Sequence, residues 1–373
     1  MIKRLIEQNI RQDYSLKKAV IILGPRQVGK TTLLNELLAK DKDVLVLNGD
    51  EPDVRELLSN VNSVQLKNIF GTAKTIVIDE AQLIPNIGLS LKLITDQIKD
   101  IRLFVSGSSS IELSNKINEP LTGRKLQYYI FPVSFKEMVK HHGLLQEKRS
   151  LPMRLIYGYY PEIITSPAQE ITLLKNLAAS YLYKDILSFG EVKKPVVLDK
   201  LIKALALQIG SEVSYNELAR TVGADKETIE RYIDLLEKAF IIFRLNAISR
   251  NVRNEIKKGK KVYFYDNGIR NAVIGNFQSF ELRTDKGALW ENFIVSERMK
   301  YLNYNKFYGH SYFWRTTQQQ EIDFVEEKDG KFSVYEFKLN PKKKIKFPTT
   351  FTKAYEVEKS MVVSPDNIED FLL

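Results

Sequence analysis

The sequence predicts an α/β protein of several domains, and three observations predict it. Short apolar runs at Ala19 to Leu23, Val44 to Leu47, Thr75 to Ile78 and Ile101 to Val105 recur through the first third, with helix-compatible segments between them. That alternation builds a parallel sheet covered by helices. A glycine-bearing loop joins the first run to the first helical segment. Farther on, two amphipathic helical segments at helix-turn-helix spacing lead into strand-like runs, and the C-terminal part reads as a long helix followed by short strands.

At 373 residues the chain is long enough for two or three domains with a substantial core. Its 44% hydrophobic and 27% charged residues are those of a folded protein rather than a disordered one. With no cysteine, disulfides, thiolate zinc sites and cysteine nucleophiles are excluded, and a cytoplasmic setting is expected. Apolar runs of about five or six residues, such as Ala239 to Phe243, fall far short of the roughly 18 that span a bilayer. No membrane contact is expected. The three histidines, His141, His142 and His310, offer little material for a histidine metal site. Of the formal net charge of +10, residues 241 to 348 carry an excess of nine, 21 Lys and Arg against 12 Asp and Glu. Such a basic stretch attracts polyanions.

The first chemistry-bearing motif follows the run Ala19 to Leu23. Gly24, Pro25, Arg26, Gln27, Val28, Gly29, Lys30 and Thr31 form GxxxxGK[ST], continued by Thr32 and a helical segment to Leu38. The glycines let backbone N–H groups curl around phosphate oxygens, Lys30 reaches the β and γ phosphates, and Thr31 offers a hydroxyl to Mg²⁺. ATP with Mg²⁺ is the expected cofactor. A second apolar run ends in Asp79 and Glu80, Asp79 suited to the Mg²⁺ shell and Glu80 to polarising an attacking water. Past the fourth run, Ser106 and Ser108 are candidate sensors of the γ-phosphate.

These motifs resemble those of AAA+ ATPases. GPRQVGKTT, VIDEAQ, VSGSSS, the turn Leu121-Thr122-Gly123-Arg124 and the segment Phe131 to Glu137 are similar to the prokaryotic AAA+ group whose C-terminal half is an uncharacterised domain. The resemblance spans the chain. It implies a P-loop AAA+ nucleoside triphosphatase domain over residues 1–150 with a helical lid at 151–195, and a role for Arg124 on nucleotide phosphate, in the same subunit or across the interface of a homo-oligomer. The polar stretch Gln146 to Ser150 marks the first boundary, and the aromatics from Tyr157 to Tyr160 are expected in core and interface.

Residues 196–266 read as a winged helix. One amphipathic helix covers 197–209, a second is capped by Ser214, Val222-Gly223-Ala224 is the turn, and a third begins at Asp225 with Ile229, Ile233 and Leu236 on one face. Strands at 240–247 and 261–265 then flank a basic wing. Its Arg250, Arg253, Lys257, Lys258, Lys260 and Lys261 stand against a single Glu255, a pattern suited to sequence-independent phosphate contact. The mixed face of the third helix is poor for base readout and suits packing against a neighbouring domain or a protein partner as well.

In residues 267–373, a helical stretch around Glu291 precedes strand-like runs holding Asp323 and, on one face by strand alternation, Glu336 and Lys338. Two carboxylates and a lysine in this pattern suit a divalent metal and an activated water. The arrangement resembles the PD-(D/E)XK restriction-endonuclease-like α/β fold. The resemblance implies Glu291, Asp323 and Glu336 as a second metal site with Lys338 beside it. The expected function is thus an ATP-hydrolysing AAA+ ATPase coupled to DNA, with an ATP-gated nuclease and a nucleotide-switched protein-interaction module as alternatives.

Overall fold

The computed structural model describes residues 1–16, 18–108, 117, 119–180, 186, 192–248, 259–340 and 345–373. These group into two compact units, Met1–Pro132 with Lys238–Phe240, and Val133–Glu237 with Ile241–Leu373. No helix among the described residues is long and apolar enough to cross a membrane.

The first unit is built on five parallel strands, β1 (Ala19–Leu23), β2 (Val44–Asn48), β3 (Thr75–Asp79), β4 (Arg102–Gly107) and β5 (Lys125–Tyr129), in the order β2-β3-β4-β1-β5. Every residue of β1 and β3 is buried, as a sheet covered on both faces requires. The helices Lys30–Leu38 and Ile87–Gln97 pack apolar faces over it, through Leu33, Leu34 and Leu37 on one and Ile87, Leu91 and Ile94 on the other. In an open parallel sheet ligands gather at the carboxyl ends of the strands, and the loops after β1, β3 and β4 all leave from that edge.

The second unit opens with two helices, Phe135–His142 and Leu144–Tyr157. Ser134 and Glu137 form a capping box on the first. The polar stretch from Gln146 to Ser150, expected to be a boundary, lies inside the second helix. The reason is that one of its charges is a core residue: Glu147 is fully buried, accepting from Tyr159 Oη at 2.5 Å and Arg154 Nε at 3.2 Å, with His142 Nε2 at 2.7 Å. Polarity marks a linker only where charges stay in water. Tyr159 and Tyr160 are buried, as expected of core aromatics.

Helices Pro195–Leu207, Tyr215–Val222 and Lys226–Lys238 follow. Ser214 caps the second, Gly223 ends it in a left-handed conformation, and Ile229, Ile233 and Leu236 of the third are buried. Next comes a seven-stranded mixed sheet in the order β12-β11-β10-β9-β7-β8-β6, formed by β6 (Glu212–Val213), β7 (Ile242–Ala247), β8 (Lys260–Phe264), β9 (His310–Arg315), β10 (Glu321–Lys328), β11 (Lys331–Phe337) and β12 (Glu356–Val363). The β7–β8 hairpin joins the later strands through a short parallel pairing, Asn246 with Tyr312 and Ala247 with Phe313. The sheet therefore runs without a break past residue 266, where the sequence suggested a domain boundary. The helix Lys286–Tyr304 buries Trp290, Phe293, Ile294 and Val295. Its Asn292 amide accepts from the Phe264 N–H at 2.7 Å and donates to the Phe264 carbonyl at 3.1 Å, acting as one more rung of the β8 ladder.

Candidate functional site

At the carboxyl end of β1 the chain turns through the loop Gly24–Gly29 into the helix Lys30–Leu38. Gly24 lies so close to β5's continuation that an added Cβ would stand 2.1 Å from the Ile130 carbonyl oxygen. Gln27 and Gly29 adopt left-handed backbone angles, φ 58° and 92°, the kind of conformation from which anion nests are built. Pro25, Arg26 and Val28 complete the loop, and Val28 is buried. Lys30 is also buried, its ammonium donating to the carbonyls of Gly24 at 3.0 Å and Pro25 at 2.9 Å. Thr32 follows on the first helical turn.

The expected acidic partner is drawn to this loop. Asp79, last residue of β3, accepts from the Thr31 hydroxyl at 2.8 Å through one oxygen. Its other oxygen accepts from the Ser106 hydroxyl and from the Glu80 N–H at 2.9 Å. Glu80 has a left-handed backbone, φ 46°, a strained state for a non-glycine residue that turns its side chain out of the strand direction. Gln82, which sequence reasoning passed over inside VIDEAQ, is buried and donates from one amide nitrogen to Glu80 and, at 2.9 Å, to Ser108 Oγ. It thus ties the candidate base to the second candidate sensor. Thr31, Asp79, Glu80, Ser106 and Ser108 therefore form one connected group, and Thr31 and Asp79 are the hard oxygen donors that Mg²⁺ takes beside phosphate.

Another residue missed in the sequence is Arg4. It is buried, with its guanidinium donating to the Val28 carbonyl at 2.6 Å and the Phe131 carbonyl at 2.6 Å. It pins the loop to the segment after β5. Nothing in its local sequence signals this, because both acceptors are backbone atoms far along the chain.

Arg124 is not brought to this group. It precedes β5, whose Lys125 pairs with Ala19 at the start of β1, so it sits at the amino edge of the sheet. The loop is at the opposite edge, about 16 Å away at strand rise. There Arg124 pairs with Asp96 at 2.5 Å and is half-exposed. The expectation that it reaches phosphate within its own subunit is corrected by this register.

The second group of candidates lies in the C-terminal half. Asp323 on β10 accepts from the Phe337 N–H at 2.8 Å and from Lys338 Nζ at 3.3 Å, and Lys338 also pairs with Glu336 at 2.9 Å. Burial, with the Asp323 charge next, pushes the Glu336 carboxyl up to about 7 against the opposing pull of Lys338. Glu291 is held by other donors, Tyr263 Oη at 2.7 Å and Lys261 Nζ at 3.2 Å. Burial raises its pKa too. Among the described residues no three His, Asp or Glu side chains are arranged to hold a metal; the expected triad of Glu291, Asp323 and Glu336 is paired instead with Lys261 and Lys338.

Of the basic wing, Arg250, Arg253, Lys257 and Lys258 lie outside the described residues. Lys260 is half-buried with its ammonium 5.0 Å from the centre of the Tyr215 ring. Lys261 is 3% exposed and paired with Glu321 at 2.7 Å as well as Glu291. The expectation of Lys261 as a surface cation for nucleic acid is thereby corrected: β8 is covered on both faces from Lys261 to Phe264.

Three stretches of the chain match known family models. Residues 16–139 match the family model described as an AAA domain, residues 148–279 a domain of unknown function (DUF8612), and residues 286–370 a domain of unknown function (DUF4143). An uncharacterized protein of Mycobacterium tuberculosis is 27% identical over 327 residues, covering 86% of this chain and 70% of that one. An uncharacterized protein of Haemophilus influenzae is 25% identical over 340 residues, covering 83% and 79%. Among solved structures, the Walker-type ATPase of Pyrococcus abyssi aligns with a TM-score of 0.49 at 15% identity, over 73% of this chain and 96% of that one. The STAND protein with a tetratricopeptide repeat sensor from Pyrococcus horikoshii aligns with a TM-score of 0.30 at 10% identity, over 82% and 48%. Residues 16–139 are an AAA domain with a P-loop, the ATP-binding part of an ATPase.

Proposed function

We propose that this protein is a cytoplasmic AAA+ ATPase that hydrolyses Mg²⁺-bound ATP at Gly24–Thr32 and couples the cycle to DNA through its basic C-terminal half. The carrying observation is the connected group Thr31–Asp79–Ser106 and Glu80–Gln82–Ser108 beside the loop. The loop N–H groups and Lys30 bind the phosphates, and Thr31 with Asp79 would hold Mg²⁺, which when bound offsets charge on the phosphate oxygens. Glu80, steadied by Gln82, accepts a proton from the attacking water. Ser106 and Ser108 report on the γ-phosphate, linked through Asp79 and Gln82 to the two acids. Arg124, on the far edge, acts only across an interface in a homo-oligomer.

Coupling to nucleic acid rests on the excess of nine positive charges in residues 241–348 and on the order of elements from Pro195 to Phe264. Three helices followed by the β7–β8 hairpin, with β6 added beside β8, support the winged-helix reading. The β9–β11 strands carrying Asp323, Glu336 and Lys338 support the nuclease-like reading of fold. With Glu291 paired to Lys261, and Asp323 and Glu336 to Lys338, the domain is read as one that holds nucleic acid rather than one that cuts it.

Steady-state ATP hydrolysis with and without duplex and single-stranded DNA, at two salt concentrations, tests the proposal. Stimulation that falls steeply with salt is expected, because phosphate contacts release counterions. Hydrolysis indifferent to DNA would remove nucleic acid from the cycle and favour a nucleotide-switched protein partner.

A further inference from the structure

Four carboxylates approach one another in the C-terminal half: Glu291 on the helix Lys286–Tyr304, Glu321 and Asp323 on β10, and Glu336 on β11. Like charges this close and this poorly hydrated repel strongly, and something must balance them. Two lysines are built in. Lys338 serves Asp323 and Glu336, at 3.3 and 2.9 Å. Lys261 serves the other pair, at 2.7 Å from Glu321 and 3.2 Å from Glu291.

The second lysine is the unusual one. It comes from β8, in the hairpin that joins this sheet only through β7, and it is almost wholly buried. Burial of an ammonium would lower its pKa, yet the charges of Glu291 and Glu321 outweigh that and raise it. Its ammonium lies 5.4 Å from the centre of the Phe313 ring of β9, and Tyr263, two residues on and on the same face of β8, donates to the same Glu291 oxygen. Strands β9 and β10 and the helix thus converge on one ammonium group carried by β8.

We propose that Lys261 is the resident cation of this cluster, fastening β8 to β10 and to the helix while keeping a divalent ion out. Divalent ions bind where several oxygen ligands face an open centre with net negative charge. Here two of the four carboxylates are committed to an ammonium, and the remaining pair already shares Lys338. The inference does not depend on the ATPase reading, since it concerns no residue of the loop.

Mn²⁺ binding to the nucleotide-free full chain, measured by isothermal titration together with thermal melting in chelator and in Mn²⁺, tests it. Wild type is expected to bind no Mn²⁺ that depends on Asp323, judged against Asp323→Asn, which also separates this cluster from Thr31 and Asp79. Lys261→Met is expected to melt lower in chelator, to regain stability in Mn²⁺ and to bind one ion per chain, a gain lost again when Asp323→Asn is added. Should Lys261→Met fail to fold, Lys261→Met with Glu321→Gln removes one charge of each sign and keeps three carboxylates, with the same gain expected. Asp323-dependent Mn²⁺ binding by wild type would overturn the proposal whatever the variants do. So would a folded Lys261 variant that gains no ion.

Discussion

The two sites use the same kinds of side chain, acids, lysine and hydroxyls, and arrange them in opposite ways. At the loop, Asp79 is held by two hydroxyls and a backbone N–H, neutral donors that fix a carboxylate without cancelling its charge. In the C-terminal cluster the acids are held by ammonium groups, which fix them and cancel them together. The first arrangement keeps charge available for a ligand. The second spends it inside the protein. A carboxylate's usefulness to a ligand is decided by what holds it, and residue type alone does not reveal that.

The largest expected effect probes the charged end of the first site. Lys30→Ala should weaken binding of a fluorescent ATP analogue by at least about 100-fold, on the scale of a lost charge-assisted contact to phosphate. Binding within a few fold of wild type would break the contrast at its stronger side. Glu80→Gln should keep that affinity and lower kcat by roughly 10²–10⁴-fold, the range of a lost general base. Normal turnover in single-cycle assays would refute the role given to Glu80.

Arg4→Met sharpens the comparison from the side of the scaffold. It removes two hydrogen bonds from a buried guanidinium to the loop and to Phe131, and a loss of about 1.5–3 kcal/mol in denaturant unfolding is expected for bonds to a charged group, with a raised KM for ATP. A variant as stable as wild type would mean that the loop holds its shape unaided.

The smallest effect concerns pH and the second site. Glu336 titrates near 7 in the folded protein against an ordinary carboxyl value near 4.3 in the unfolded chain. The folded state therefore binds the extra proton between those values, and the stability owed to this group falls as pH rises through that window. Glu336→Gln should remove the slope, so its melting temperature should gain on wild type from about pH 4.5 to 7. Parallel profiles would show that neither burial nor the Asp323 charge raises Glu336.

Much of the first site was legible in the sequence because its signals are local. The loop is contiguous, Asp79 and Glu80 end one strand, and the serines follow the next. What the sequence left unread depends on register and on distant backbone. Arg124 looked ready to meet phosphate until pairing of Lys125 with Ala19 set it at the wrong end of the sheet. Lys260 and Lys261 look alike in a basic run, yet Lys260 stands half-buried at the start of β8 while Lys261 lies in the core, paired with Glu291 and Glu321. The helices from Pro195 to Lys238 were legible from apolar spacing and caps, whereas the pairing of β7 with β9 rests on two residues with no composition signal.

The strand order of the first unit also bears on how the chain is made. β1 emerges early during synthesis, but its two neighbours in the sheet are β4 and β5, the second beginning at Lys125. At about 5–20 residues per second, roughly 5–20 s separate the appearance of β1 from that of its last partner. Until β4 (Arg102–Gly107) appears, which is most of that interval, a wholly apolar strand, Ala19-Val20-Ile21-Ile22-Leu23, travels with neither edge covered. The nascent chain therefore carries an uncovered apolar strand well before its first sheet can close.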